Sequence, residues 1–156
     1  MILFDYRQPD LTDRPWNLTI DHSVSVPCAT VYSAWTEGFD RWFADPGSVA
    51  MMPEVGRPFF FEAVHRPEGS PAIQRHPHYG RFLQLENDRL VAMTWVTGAG
   101  GTEGAETVVR VELQPEATGC RIHLTHSGFP NEQARDRHAQ AWPMVLTQME
   151  QRLAVA

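Results

Sequence analysis

The segment from Pro130 to Ala156 constrains the fold more than any other, because it is the one stretch long and periodic enough to close a hydrophobic core over the rest of the chain. His138, Trp142, Val145, Met149 and Leu153 recur at helical spacing and Leu146 widens the stripe. Asp136, Gln140, Thr147, Glu150 and Gln151 fall on the opposite face. Asn131 suits the N-cap, and Glu132 and Arg152 stand where the helix dipole favours each charge. The spacing predicts one helix laid on a sheet, with one side in water. Pro143 conflicts with it: lacking an N–H to bond back to Ala139, and crowding that carbonyl with its ring, it predicts a kink, or a restart with Pro143 in a first turn.

Residues 1–15 mix Ile2, Leu3, Phe4 and Tyr6 with Pro9 and Pro15, which suits an arm packed on the domain or on a second subunit and leaves a homodimer open. From Leu18 the chain alternates, with Leu18, Ile20, His22, Val24 and Val26 on one side, as in a half-buried strand. Pro27 ends it, and Val31, Trp35, Phe39, Trp42 and Phe43, interrupted at Gly38, predict two short helices. Strands are then expected at 55–63, 79–85, 90–97, 106–113 and 120–127. A loop at 44–54 precedes them, and between them fall the loop 65–77 and the glycine-rich 98–104. Short turns make these strands antiparallel neighbours, so the order is that of an α+β fold with helices on one face of an antiparallel sheet of about six strands.

The 156 residues fit a single domain over 16–156, large enough for a core without staples. Cys28 and Cys120 lack paired-motif spacing and read as buried thiols of a cytoplasmic protein. The start, Met1 to Arg7, has no basic region followed by an apolar run, and no stretch reaches transmembrane length, so neither a leader nor a membrane partner is expected. A net charge of -6 without a basic cluster argues against nucleic acid. All 13 basic residues are arginine, which excludes a lysine Schiff base and a standard P-loop, and no dinucleotide fingerprint follows a strand, so no cofactor is expected.

Six ordered blocks carry a family resemblance. They are Val26 to Thr36 with Arg41-Trp42-Phe43 and Glu54-Val55-Gly56-Arg57 before Phe59; Gly80 to Leu85; Arg89-Leu90-Val91 with Trp95; Glu106 to Val109; Gly119 to Leu124 with His126 to Phe129; and Trp142 with Leu146. Over residues 16 to 153 the chain resembles the family named for homology to the activator of the heat-shock-protein-90 ATPase, in the START-like (SRPBCC) superfamily. The resemblance implies the helix-grip fold of the birch pollen allergen, a curved antiparallel sheet around a long C-terminal helix with a cavity between them. It also implies binding of a small hydrophobic or aromatic molecule. The superfamily allows two alternatives, an enzyme of cyclase, dehydratase or hydrolase type using the same cavity and a co-chaperone-like interaction module.

The residues expected to line such a cavity are Trp35, Trp42, Phe59, Phe61, Met93, Trp95, His126, Trp142 and Met149. His126 keeps the parity of Ile122 and Leu124 and should face the helix, as a core histidine satisfied by backbone or Ser127 or as a site residue. Glu62, Tyr79, Arg81 and Thr94 are candidates for orienting a ligand or moving protons, but no acid and base pair emerges and no catalytic residue is assigned. His123 and His126 should point to opposite faces, and His76 and His78 flank Pro77 in an expected solvated loop, so no metal site is expected. The segments 65–77 and 98–104 are expected to form mobile rims.

Overall fold

The computed structural model describes residues 4–66 and 68–154. Among the described residues nine elements follow in the order the hydrophobic pattern implies. Strand β1 (Trp16–Val24) leads into helix α1 (Cys28–Thr36) and a 3-10 turn (Phe39–Arg41). Strands β2 (Pro58–His65), β3 (Gln74–Glu86), β4 (Leu90–Trp95), β5 (Thr107–Glu116) and β6 (Gly119–Phe129) come next, and helix α2 (Glu132–Ala154) closes the chain. The strands form one curved, open antiparallel sheet in the order β1-β6-β5-β4-β3-β2, with α1 and α2 on its inner face. This is the expected α+β helix-grip arrangement. Every residue of β4, near the middle of the sheet, is buried, whereas β1 alternates as a strand with one wet face must.

Along α2 the stripe sorts largely as expected. Trp142, Leu146, Met149 and Leu153 are buried together with Ala134, and Asp136, Gln140, Thr147 and Gln151 are exposed. Asn131 caps the helix, its Oδ1 accepting the Ala134 N–H at 2.8 Å. Glu150 departs from the wet face by accepting the Ser25 N–H at 3.0 Å, which ties the helix to the end of β1. Near Met149, Gln148 Nε2 and Arg152 both donate to the Trp42 carbonyl at 2.9 and 3.1 Å. Of the two outcomes expected at Pro143, the restart does not occur: α2 continues without a break across it. Pro143 and Ala139 are both on the solvent side, so the carbonyl that loses its donor can be hydrated, and the cost of the missing bond is moderated.

Three further expectations are corrected. Cys28, in the first turn of α1, and Cys120, at the start of β6, form a disulfide across a Cα separation of 5.0 Å, so they are not free thiols. Their 92-residue separation concealed a contact made by packing α1 against the sheet, and the bridge removes the argument for a cytoplasmic address that rested on reduced cysteines. The segment 65–77 is not one loop, because β2 extends to His65 and β3 starts at Gln74. Pro77 stands opposite Glu62 where β3 has run past the end of β4, the edge-like setting in which a strand tolerates proline. Finally, the strand expected from Val55 starts at Pro58, after a turn with Gly56 at φ +82°.

The arm expectation covers residues 1–15, of which 1–3 lie outside the described residues. The remainder packs on the outer side of the sheet. Arg81 donates to the Asp5 and Arg7 carbonyls, and Arg14 donates to the Gly128 and Glu106 carbonyls at 2.8 and 2.7 Å.

Replacing Pro143 by alanine restores a helical donor on an exposed face. Pro143→Ala should raise stability by about 1 to 3 kcal/mol in urea denaturation. An unchanged or lowered midpoint would mean that the helix depends on the proline.

Candidate functional site

A half-open cavity of about 630 Å³ lies between the inner face of the sheet and α2. Its floor is formed by Trp95 and His78, one side by His138, Ala141, Trp142, Val145 and Gln148 of α2, and the rim by residues 63–65, 75–77 and 97–101. The sequence brings these together simply. Helical spacing places His138, Trp142 and Val145 on the stripe that faces the sheet. In β3, His78 keeps the inward parity of Phe82, with Gly80 between them, where a Cβ would collide with the Phe59 ring and the Thr94 carbonyl.

Of the nine residues expected at the wall, the structure places Trp95 and Trp142 there. The other seven, Trp35, Trp42, Phe59, Phe61, Met93, His126 and Met149, are buried behind it. They form the support. Trp35 packs on Trp42 and Trp142 at centroid distances of 5.1 and 5.9 Å, and Phe61 stacks on His78 at 4.7 Å. The sequence reading missed His78, His138, Phe43, Val145 and Gln148 at the wall. For His138 and Val145 the helical stripe already carried the signal; for His78 the assumption of a loop hid it.

His126 is fully buried, and its hydrogen bonds fix its chemical state. The Trp142 indole, which can only donate, reaches His126 Nδ1 at 3.1 Å, so Nδ1 is unprotonated and the proton is on Nε2. Nε2–H then donates to Thr107 Oγ1 at 2.7 Å, and the Thr107 hydroxyl donates to the Trp95 carbonyl. One polar chain thus runs from the helix through β6 and β5 to β4 and holds both wall tryptophans. Burial, with His138 nearby, pushes His126 well below the ordinary imidazole value, as this neutral tautomer requires. His126 faces inward as its parity predicts, satisfied by Thr107 and Trp142 rather than by Ser127 or backbone.

His78 and His138 are in the opposite tautomer. Each has Nδ1 against a backbone carbonyl, His76 O at 2.8 Å and Ala134 O at 2.7 Å, and a carbonyl accepts only, so both rings carry the proton on Nδ1. Burial lowers both, His78 to about 4, keeping the rings neutral at pH 7. The other polar candidates are elsewhere. Tyr79 is exposed and packs on Phe60. Arg81 is buried beneath the arm, within ion-pair reach of Asp5 and Glu106. The Thr94 hydroxyl accepts the Arg81 N–H, and Glu62 approaches Arg75. His22 lies on β1 opposite Ile122, and His123 faces outward to Asp21 at 2.9 Å. No group of three metal-ligating side chains occurs among the described residues. At the 98–104 rim, Thr97 and Thr102 are hydrogen-bonded to each other and Arg137 donates to the Gly100 and Gly101 carbonyls.

With this geometry in hand, the family model described as activator of Hsp90 ATPase homolog 1-like protein matches residues 25–154. The chain belongs to that family. Among solved structures, a protein from Chromobacterium violaceum is similar at TM-score 0.71 and 20% identity, covering 87% of this chain and 96% of that one. A Mesorhizobium loti protein gives 0.70 and 20%, covering 90% and 98%. The Aha1 dimer from Colwellia psychrerythraea gives 0.62 and 15%, covering 88% and 95%. These likenesses show the fold. No curated protein sequence matches the chain. Among the described residues of this activator-homologue family member, no helix is long and apolar enough to cross a membrane.

The histidines make stability depend on pH. A folded value below the unfolded 6.5 means that the unfolded chain binds more protons, so the contribution is fully present above about 6.5 and is lost as pH falls towards about 4. Asp5, Asp10 and Asp21, lowered from 3.8, lose their contributions only at more acid pH. Between pH 7 and 5, His78 alone should cost about 2 kcal/mol. His78→Phe, which keeps a ring against Phe61, should flatten the urea-measured pH profile by that amount; an unaltered profile would remove His78 as its source.

Proposed function

We propose that the protein encloses a small aromatic or apolar molecule in the cavity between sheet and α2. The observation that carries this is the wall itself: a space of about 630 Å³, within the usual size of small-molecule sites, bounded by Trp95, Trp142, Phe43 and Val145 with a few fixed polar groups among them. Large aromatic faces give such a ligand contact area at low entropic cost, and the buried cluster of Trp35, Phe39, Trp42 and Phe61 keeps those faces in position.

Binding is favoured over catalysis by the state of the histidines. A general base works best with a pKa near the working pH, whereas His78 is pushed to about 4 and His126 is sealed from the cavity by its own hydrogen bonds. Tyr79 and Arg81, the other candidates for proton transfer, do not line the space.

Val145 lines the wall and is only half-buried, so a larger side chain there can fill the cavity without disturbing the core. N-phenyl-1-naphthylamine, a neutral fluorescent probe, should bind saturably at one site. Val145→Trp should weaken it about tenfold or more while leaving the melting temperature close to that of the parent. Equal affinity in the variant would place the probe elsewhere and remove this cavity as the binding site.

A further inference from the structure

The polar groups at the cavity wall present acceptors. His78 and His138 each spend their single proton on a backbone carbonyl, so each leaves an Nε2 lone pair. Neither Nε2 has a hydrogen bond among the described residues, and neither is sealed in the interior as His22 Nε2 and Trp35 Nε1 are. Both rings line the cavity. Gln148 repeats the pattern, its Nε2 donating to the Trp42 carbonyl at 2.9 Å and its Oε1 left as an acceptor.

The charged groups at the rim do not change this balance. Arg75 is engaged by Asp45 at 3.1 Å and lies 3.8 Å from Glu62, and His65 and His76 complete the titratable side chains around the mouth. No aspartate or glutamate lines the space, so an ammonium group would enter without a counter-ion, at a high desolvation cost. A carboxylate would face lone pairs at both histidines.

We propose, building on the reading of the cavity as an aromatic-ligand site, that its ligand is a hydroxylated aromatic, a phenol or polyphenol, whose O–H groups donate to Nε2 of His78 and His138 while its ring lies against Trp95 and Trp142. The neutral state of both rings under burial keeps these acceptors available at pH 7. Each imidazole is held by its carbonyl bond, and His78 also by stacking on Phe61, so the acceptors are oriented before the ligand arrives. Aromatic contact then supplies affinity, and the two acceptors choose among aromatic molecules by their donors.

The test compares 2-naphthol with 2-methoxynaphthalene, which keeps the ring system and oxygen but lacks the donor, by tryptophan fluorescence titration of the whole protein at pH 7. The proposal expects 2-naphthol to bind about tenfold tighter. His78→Phe and His138→Phe, each checked for folding by circular dichroism, should reduce that advantage, with the double variant abolishing it. Equal affinities for the two probes in the parent protein would overturn the hydroxyl assignment while leaving the aromatic cavity intact. Absence of binding by both would remove the cavity reading itself, and the proposal with it. Because the parent comparison needs no substitution, a variant that fails to fold does not shield the claim.

Discussion

The chain of hydrogen bonds from Trp142 through His126 and Thr107 to the Trp95 carbonyl is the interaction on which the arrangement of helix, sheet and cavity depends. A polar group buried at this depth is costly unless paired, and in this chain each donor meets one acceptor, so the three bonds are satisfied only as a set. Their common requirement is a neutral His126 with its proton on Nε2. That single tautomer fixes the plane of the Trp142 indole, and hence which face of the indole is left for the cavity.

Around that chain the apolar contacts divide into two tasks. Trp35 from α1 and Phe39 and Trp42 from the following turn wedge between the sheet and α2, and Trp42 offers its carbonyl to Gln148 and Arg152. This aromatic layer keeps the helix from settling fully onto the sheet near Trp142, which is why a cavity persists on one side of a dense core. The disulfide from Cys28 to Cys120 pins α1, the carrier of Trp35, to β6, the strand that also carries His126. The outer side is closed differently, by an arm whose backbone carbonyls are held by the buried Arg81.

Much of the fold was legible in the sequence because it follows from period. The alternation from Leu18 gave β1, the turn residues separated the later strands, and the spacing from His138 to Leu153 gave the helix and its buried face. Local chemistry misled where tertiary context overruled it. Proline content argued for a loop at 65–77, although an edge-like setting let Pro77 remain in β3; Pro143 argued for a kink or a restart of α2, and the restart does not occur, the Ala139 carbonyl left without a donor being on the exposed side. The site was less legible. Period distinguishes inside from outside, but Phe61, Met93 and Met149 are inside in the same sense as Trp95 and Trp142, and only the packed arrangement separates wall from support. The pairing of Cys28 with Cys120 and the opposite tautomers of His126 and His78 are likewise properties of distant partners, which spacing does not encode.

The tautomer of His126 is the central claim and can be read directly, by long-range proton–nitrogen correlation of the histidine rings in uniformly 15N-labelled protein at pH 7 and again at pH 5. The account predicts a neutral His126 with the proton on Nε2 and Nδ1 unprotonated at both pH values. A His126 protonated on Nδ1, or an imidazolium at pH 5 in protein that is still folded, would contradict it.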